Sequence, residues 1–125
     1  MSLALIDTDC AIYAMTGSFP ALRERLEDRE PGTVLISTIN LAEIALGTAH
    51  GRIPSGKLLE AFVEAIPVVA FDEAAARAYA RLPFKRGRFD RLMAAHALSL
   101  DAVLVTNNER DFADIPGLKV ENWTQ

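Results

Sequence analysis

The sequence predicts an α/β fold with a mainly parallel central sheet of four to five strands, and two patterns carry that expectation. Short, continuously apolar segments alternate with amphipathic stretches of helical spacing, as they do where helices cover both faces of a parallel sheet. Polar and acidic residues (Asp7, Asp9, Thr38, Asp72, Thr106, Asn107 and Asn108) follow directly on the apolar segments. These are the carboxyl ends of the strands, where sheets of this kind bind ligands. A length of 125 residues suits one substantial core, so residues 1–125 are expected to form a single domain.

The first strand is "LALI" at 3–6, apolar throughout and ended by acids. A helix is expected over "SFPALRERLED", with Ser18 as its N-cap, Pro20 in the first turn, and Phe19, Leu22 and Leu26 at helical spacing. Pro31-Gly32 turns the chain into a second strand, "TVLIS" at 33–37, which is rich in β-branched residues. Thr38 is the expected cap of the helix "INLAEIALGTAH", and Gly51 its stop. Beyond Pro54, "GKLLEAFVEAI" carries an apolar stripe of Leu58, Leu59, Phe62, Val63 and Ile66 before Pro67 ends it. A third strand, "VVAF" at 68–71, leads to Asp72, the expected cap of the helix "EAAARAYARL". "DRLMAAHALSL" reads as the last helix, "AVLVT" at 102–106 as a fourth strand and "KVEN" at 119–122 as a fifth.

Composition narrows the functional classes. Acids or glycine break every apolar run before the roughly 18–20 residues that a membrane span needs, and the start lacks the basic region of a secretory signal. With Cys10 as the only cysteine, neither an internal disulfide nor a thiolate zinc site can form, which fits a reducing cytoplasm; His50 and His96 are too few to change that. A net charge of −4 argues against indiscriminate binding to polyanions. The charge is nevertheless uneven, because "RLPFKRGRFDR" at 81–91 sets Arg81, Lys85, Arg86, Arg88 and Arg91 against Asp90 alone. By composition alone this is a solvated charge run. Half of the residues are hydrophobic, which leaves apolar area for a partner or a second copy.

Three acids stand where a carboxylate is costly. Glu43 shares its helix face with Ile39, Asn40, Leu46 and Gly47, and no basic residue faces it within the helix. Asp90 heads a face of Met93, Ala94, Ala97 and Leu98, although the helix dipole alone favours an acid in a first turn. Asp7 ends the first strand. Together with the polar "TNNERD" after the fourth strand, these acids can approach one rim, where a single hard cation, Mg²⁺ or Mn²⁺, would account for all of them. Such an ion lowers the pKa of a bound water, so no histidine base is required.

The segments "LIDTD", "STINLAEIALG", "FDRLMAAHAL", "LVTNNERDF" and "IPGLKVENW", in this order and spacing, resemble PIN-domain ribonucleases, and among them the VapC-like toxins of bacterial toxin–antitoxin pairs. The resemblance covers nearly the whole chain. It implies a PIN-like three-layer α/β/α fold and an endoribonuclease in which Asp7, Glu43 and Asp90 hold one or two divalent ions, Asp7 and Asp90 most directly. It implies hydrolysis by metal-activated water to a 5′-phosphate and a 3′-hydroxyl. The fourth acidic position of relatives is Asn108 here, an uncharged donor that Asp111 beside it can supplement, with Thr106 at the strand end. Relatives commonly carry a small residue at the position of Asp9, which is expected to be an outer acid or a cap. Lys85, Arg86, Arg88 and Arg91 become candidate contacts to RNA phosphates. The implied partners are an RNA substrate, a cognate antitoxin and a second copy in a homodimer.

Two rival readings use the same opening. Strand-D-x-D also resembles the first motif of haloacid-dehalogenase-like phosphatases, with Asp7 as the nucleophile, but that leaves Glu43 and Asp90 unused. A non-enzymatic phospho-receiver would accept phosphate on Asp72, yet no lysine follows "KVENW" where such domains place one.

Overall fold

The computed structural model describes residues 2–83 and 89–125. Five strands form one sheet: β1 (Ala4–Ile6), β2 (Val34–Ser37), β3 (Val68–Val69), β4 (Val103–Val105) and β5 (Val120–Glu121). Their order is β3-β2-β1-β4-β5, and every neighbouring pair is parallel. Helices α1 (Thr8–Thr16), α2 (Pro20–Glu27), α3 (Thr38–Ala49), α4 (Gly56–Ala65), α5 (Glu73–Ala80) and α6 (Phe89–Leu100) complete a three-layer α/β/α arrangement, with a short 3-10 helix at Glu109–Phe112.

Strand alternation divides the interior into two cores, because successive side chains point to opposite faces. Ala4, Ile6, Val34, Ile36 and Val105 face one layer, where they meet Cys10, Ala11 and Met15 of α1, Leu22 of α2, Ile44 of α3 and Leu59 of α4. Leu5 and Leu104 face the other, against Met93, Ala94 and Ala97 of α6, with Phe112 and Ile115 beyond β4. Continuously apolar strands are what this two-sided burial requires.

Helix α1 is the main element that the sequence pattern did not predict. The acids that end β1 also start a helix: Asp7 is its N-cap, and its carboxylate accepts from the Cys10 amide at 2.9 Å. Gly17 ends the helix in the left-handed region (φ 72°), where a residue without Cβ carries no steric penalty, and its amide donates to the Tyr13 carbonyl. Two caps also differ from expectation. Phe19, not Ser18, occupies the N-cap of α2, and Ser18 instead lies 2.7 Å from the Thr16 hydroxyl. Ser37 caps α3, which frees Thr38 to accept from the Phe71 amide at 3.1 Å and tie α3 to the chain leaving β3.

Strand order also corrects the receiver reading. The doubly wound order used by receiver folds is 2-1-3-4-5, with the third strand at the centre. Here β3 is an edge strand, and Asp72 beyond it caps α5 through the Ala75 amide at 3.0 Å. Among the described residues no helix is long and apolar enough to cross a membrane.

The C-terminal segment is pinned by Trp123, which is 1% exposed. Its indole N–H donates to Glu121 at 2.8 Å, while the Arg25 and Arg29 guanidiniums lie 5.1 and 5.5 Å from the ring centroid. Trp123→Ala is therefore expected to lower stability by about 3–5 kcal/mol. Equilibrium urea denaturation checks it, and a loss below about 1 kcal/mol would show that the ring does not hold this edge of the sheet.

Candidate active site

β1 and β4 lie side by side in the middle of the sheet, and the chain leaves them toward opposite faces, α1 to one core and Phe112 to the other. That divergence opens a crevice beyond the strand ends. In it lies a cavity of roughly 190 Å³ lined by five carboxylates, Asp7, Asp9, Glu43, Asp90 and Asp111, together with Asn108, Thr106, Thr8 and Asn40. No basic side chain is among its described lining residues.

Four elements deliver the five acids, Asp7 and Asp9 both coming from the start of α1. Asp7 is held by its backbone as well as its cap, since its amide donates to the Val105 carbonyl at 3.0 Å and its carbonyl accepts from Ala11 at 2.9 Å. Glu43 comes from the middle of α3, and Asp90 from the first turn of α6. Asp111 belongs to the 3-10 helix, and Asn108 sits at that helix's N-cap position without a side-chain capping bond. Asp9 is exposed in the first turn of α1; the capping role it was expected to share belongs to Asp7.

Burial pushes the Asp7 carboxyl above its ordinary value of 3.8; hydrogen bonding from Thr106 and Cys10 opposes the rise, and the charge of Asp9 adds to it. Glu43 is raised above 4.5, first by burial and then by Asp90, Asp9 and Asp7, against a hydrogen bond from Thr8. That bond has a fixed direction. Asn40, 1% exposed, donates through Nδ2 to the Thr8 hydroxyl at 2.7 Å, so the hydroxyl proton goes to Glu43 Oε1, also at 2.7 Å. Thr8 and Asn40 were not assigned this role from sequence. The available signal was the spacing of Asn40 three residues before Glu43 on the same helix face.

Thr106 is fully buried, and its hydroxyl accepts from the Asn108 amide at 3.1 Å, which couples the end of β4 to the Asp7 carboxylate. Arg91 is placed differently from expectation. It is 6% exposed, and one guanidinium nitrogen, Nη2, lies 3.0 Å from both carboxylate oxygens of Asp114. A buried, paired guanidinium is not a surface contact for phosphate, so Arg91 leaves the predicted RNA-binding set. Lys85, Arg86 and Arg88 lie outside the described residues. His96 is buried away from the cavity, edge-on to Phe71 at 5.3 Å, and desolvation holds its imidazole below its usual range.

The donor set suits a hard divalent cation. All the polar donors are oxygen or amide groups, and the raised carboxyls would be drawn back down by a positive charge. Among the described residues no group of three or more His, Cys, Asp or Glu side chains closes on one point. This arrangement fits an ion that keeps several waters and takes only one or two carboxylates directly, as Mg²⁺ does.

Comparison with known proteins identifies what the whole chain is similar to. Residues 4–118 match the PIN domain family. The chain is 34% identical to a protein of Shigella flexneri named tRNA(fMet)-specific endonuclease VapC, over 96% of this chain and 97% of that one. It is 30% identical to Ribonuclease VapC2 of Rickettsia felis, over 95% and 96%. Among solved structures, VapBC2 from Rickettsia felis bound to a promoter DNA fragment superposes with a TM-score of 0.84 at 27% identity, covering 97% of this chain and 98% of that one. DNA-bound VapBC from Salmonella typhimurium gives 0.81 at 30%, covering 98% and 99%.

The raised carboxyls carry a signed pH dependence. A folded-state pKa above the unfolded one means that the native protein binds more protons, so the group's contribution is full below its unfolded value and is lost as pH rises through the folded value. Asparagine caps a helix as well as aspartate does. Metal-free Asp7→Asn is therefore expected to be more stable than wild type at neutral pH, with the advantage vanishing toward pH 3.8, the ordinary value for this group. Thermal melts in chelator across this range check it, and an advantage that grows on acidification would contradict it.

Proposed function

The chain belongs to the PIN-domain family, and from that premise we propose that it is a Mg²⁺- or Mn²⁺-dependent endoribonuclease, the toxin of a toxin–antitoxin pair, acting in the cytoplasm. It hydrolyses RNA phosphodiester bonds, leaving a 5′-phosphate and a 3′-hydroxyl. The observation that carries this reading is the cavity of five carboxylates at the diverging ends of β1 and β4, with no cationic side chain among its described lining residues. The names of the relatives, ribonuclease and endonuclease, agree with it.

A divalent ion, when bound, would supply positive charge to the phosphate and lower the pKa of a water. Asp7 and Asp90 hold the ion in this proposal. Asp7 is suited to that by its fixed backbone, and Thr106 orients its carboxylate. Glu43, with Oε1 engaged by Thr8, leaves Oε2 to orient a water. Asn108 offers a carbonyl oxygen, and Asp9 and Asp111 extend the negative field toward the exposed rim.

Lys85, Arg86 and Arg88 directly precede α6 in sequence and are assigned to backbone phosphates, a positioning role with little sequence information. Exposed apolar side chains, with Leu46 at 62% and Ile53 at 71%, support binding of an antitoxin and of a second copy.

The test incubates purified protein with structured RNAs, including tRNA(fMet), in Mg²⁺ or Mn²⁺ and in EDTA, beside Asp7→Asn and Asp90→Asn. EDTA is expected to abolish cleavage, and each substitution to reduce it by at least about a hundredfold. Cleavage that survives EDTA, or that both variants retain, would sink the proposal.

A further inference from the structure

We propose that Arg91 and Asp114 form a buried clamp that sets the position of Asp90 in the acidic cavity, which makes both of them positioning residues for the divalent ion. The inference rests on the metal-dependent reading above.

Two of the cavity's walls are distant in sequence. One is the first turn of α6, which contributes Asp90 and Met93; the other is the segment beyond β4, which contributes Asn108, Asp111 and Phe112. Packing of Phe112 and Ile115 against Met93, Ala94 and Ala97 holds these walls together without fixing how far apart their polar tips stand, because apolar contact is non-directional. The ion pair supplies direction. Arg91 is the next residue after Asp90, and its Nη2 lies 3.0 Å from both oxygens of Asp114, three residues beyond Asp111.

Environment makes this pair consequential. Surface ion pairs contribute little, but the Arg91 side chain is 7% exposed and Asp114 35%, so the attraction is poorly screened and the geometry is held. Removing the Asp114 carboxylate takes an ion-pair partner from a guanidinium that is 7% exposed at the edge of the core. A helix end is also where backbone order is lowest, and Asp90 is in the first turn. Anchoring the adjacent residue to the segment beyond β4 keeps the Asp90 carboxylate in place before the ion arrives, which matters because an ion held by one or two carboxylates depends on where those stand.

The test uses the full chain and Mn²⁺ itself as probe, its binding followed by electron paramagnetic resonance without RNA, with thermal melts in EDTA as the control for folding. Arg91→Met and Asp114→Asn are expected to weaken Mn²⁺ binding about tenfold, with RNA cleavage recovering as Mn²⁺ is raised. Arg91→Lys should stay close to wild type, since a single nitrogen meets both carboxylate oxygens. Wild-type Mn²⁺ affinity in both Arg91→Met and Asp114→Asn, with only the melting temperature lowered, would overturn the clamp and leave the nuclease reading intact. Absence of Mn²⁺ binding by the wild type overturns both. If Arg91→Met does not fold, Asp114→Asn decides by the same criteria, because its side chain is one-third exposed.

Discussion

Carboxylates gathered in one partly buried cavity repel each other and lose hydration, and both effects favour the neutral acid. Five of them meet where β1 and β4 part, and the surroundings can be read as the means of keeping them there. A helix cap and the Thr106 hydroxyl act on Asp7, and a hydroxyl oriented by a buried amide acts on Glu43. These bonds offset the cost only in part, since both carboxyls remain raised. A cation entering the cavity would offset the remainder.

The scaffold serves that constraint. Parallel strands with alternating faces bury two cores, so the strand ends cannot shift independently, and the four elements that present acids are fixed relative to one another. On the α6 side half of the buried residues are alanine, with Ala94, Ala95 and Ala97 all fully buried. Small side chains let this helix lie close to its neighbours, and the Arg91–Asp114 pair then orients its first turn.

The departures from the sequence reading share one cause. Periodicity predicted the strands and five of the helices, because the apolar face of each is written in consecutive residues. It missed α1, in which the buried positions Cys10, Ala11 and Met15 make a short and chemically mixed stripe and the capping acid looked like the end of a strand. The family resemblance turned the basic run at 81–91, a solvated surface by composition, into phosphate contacts, whereas Arg91 is buried against Asp114, 23 residues away. Asp72 looked eligible as a phosphate acceptor until strand order put β3 at the edge of the sheet.

The sequence by itself determined the fold class and named the acids. Asp7, Glu43 and Asp90 were readable as acids whose local setting, a strand end or a core-facing turn, is a poor place for a charge, whereas Asn108 and Asp111 were singled out only through the family resemblance. Tertiary structure decided which of them share a cavity and what restrains each one. Thr8 bridges 35 positions to Glu43, and Asn40 bridges 32 to Thr8; a bond across such separations leaves no local period to detect. In "LALIDTDC" the two acids look alike, and only the folded chain separates them: Asp7 caps a helix and is bonded through its backbone, while Asp9, two residues on in the first turn of that helix, stays exposed at the rim.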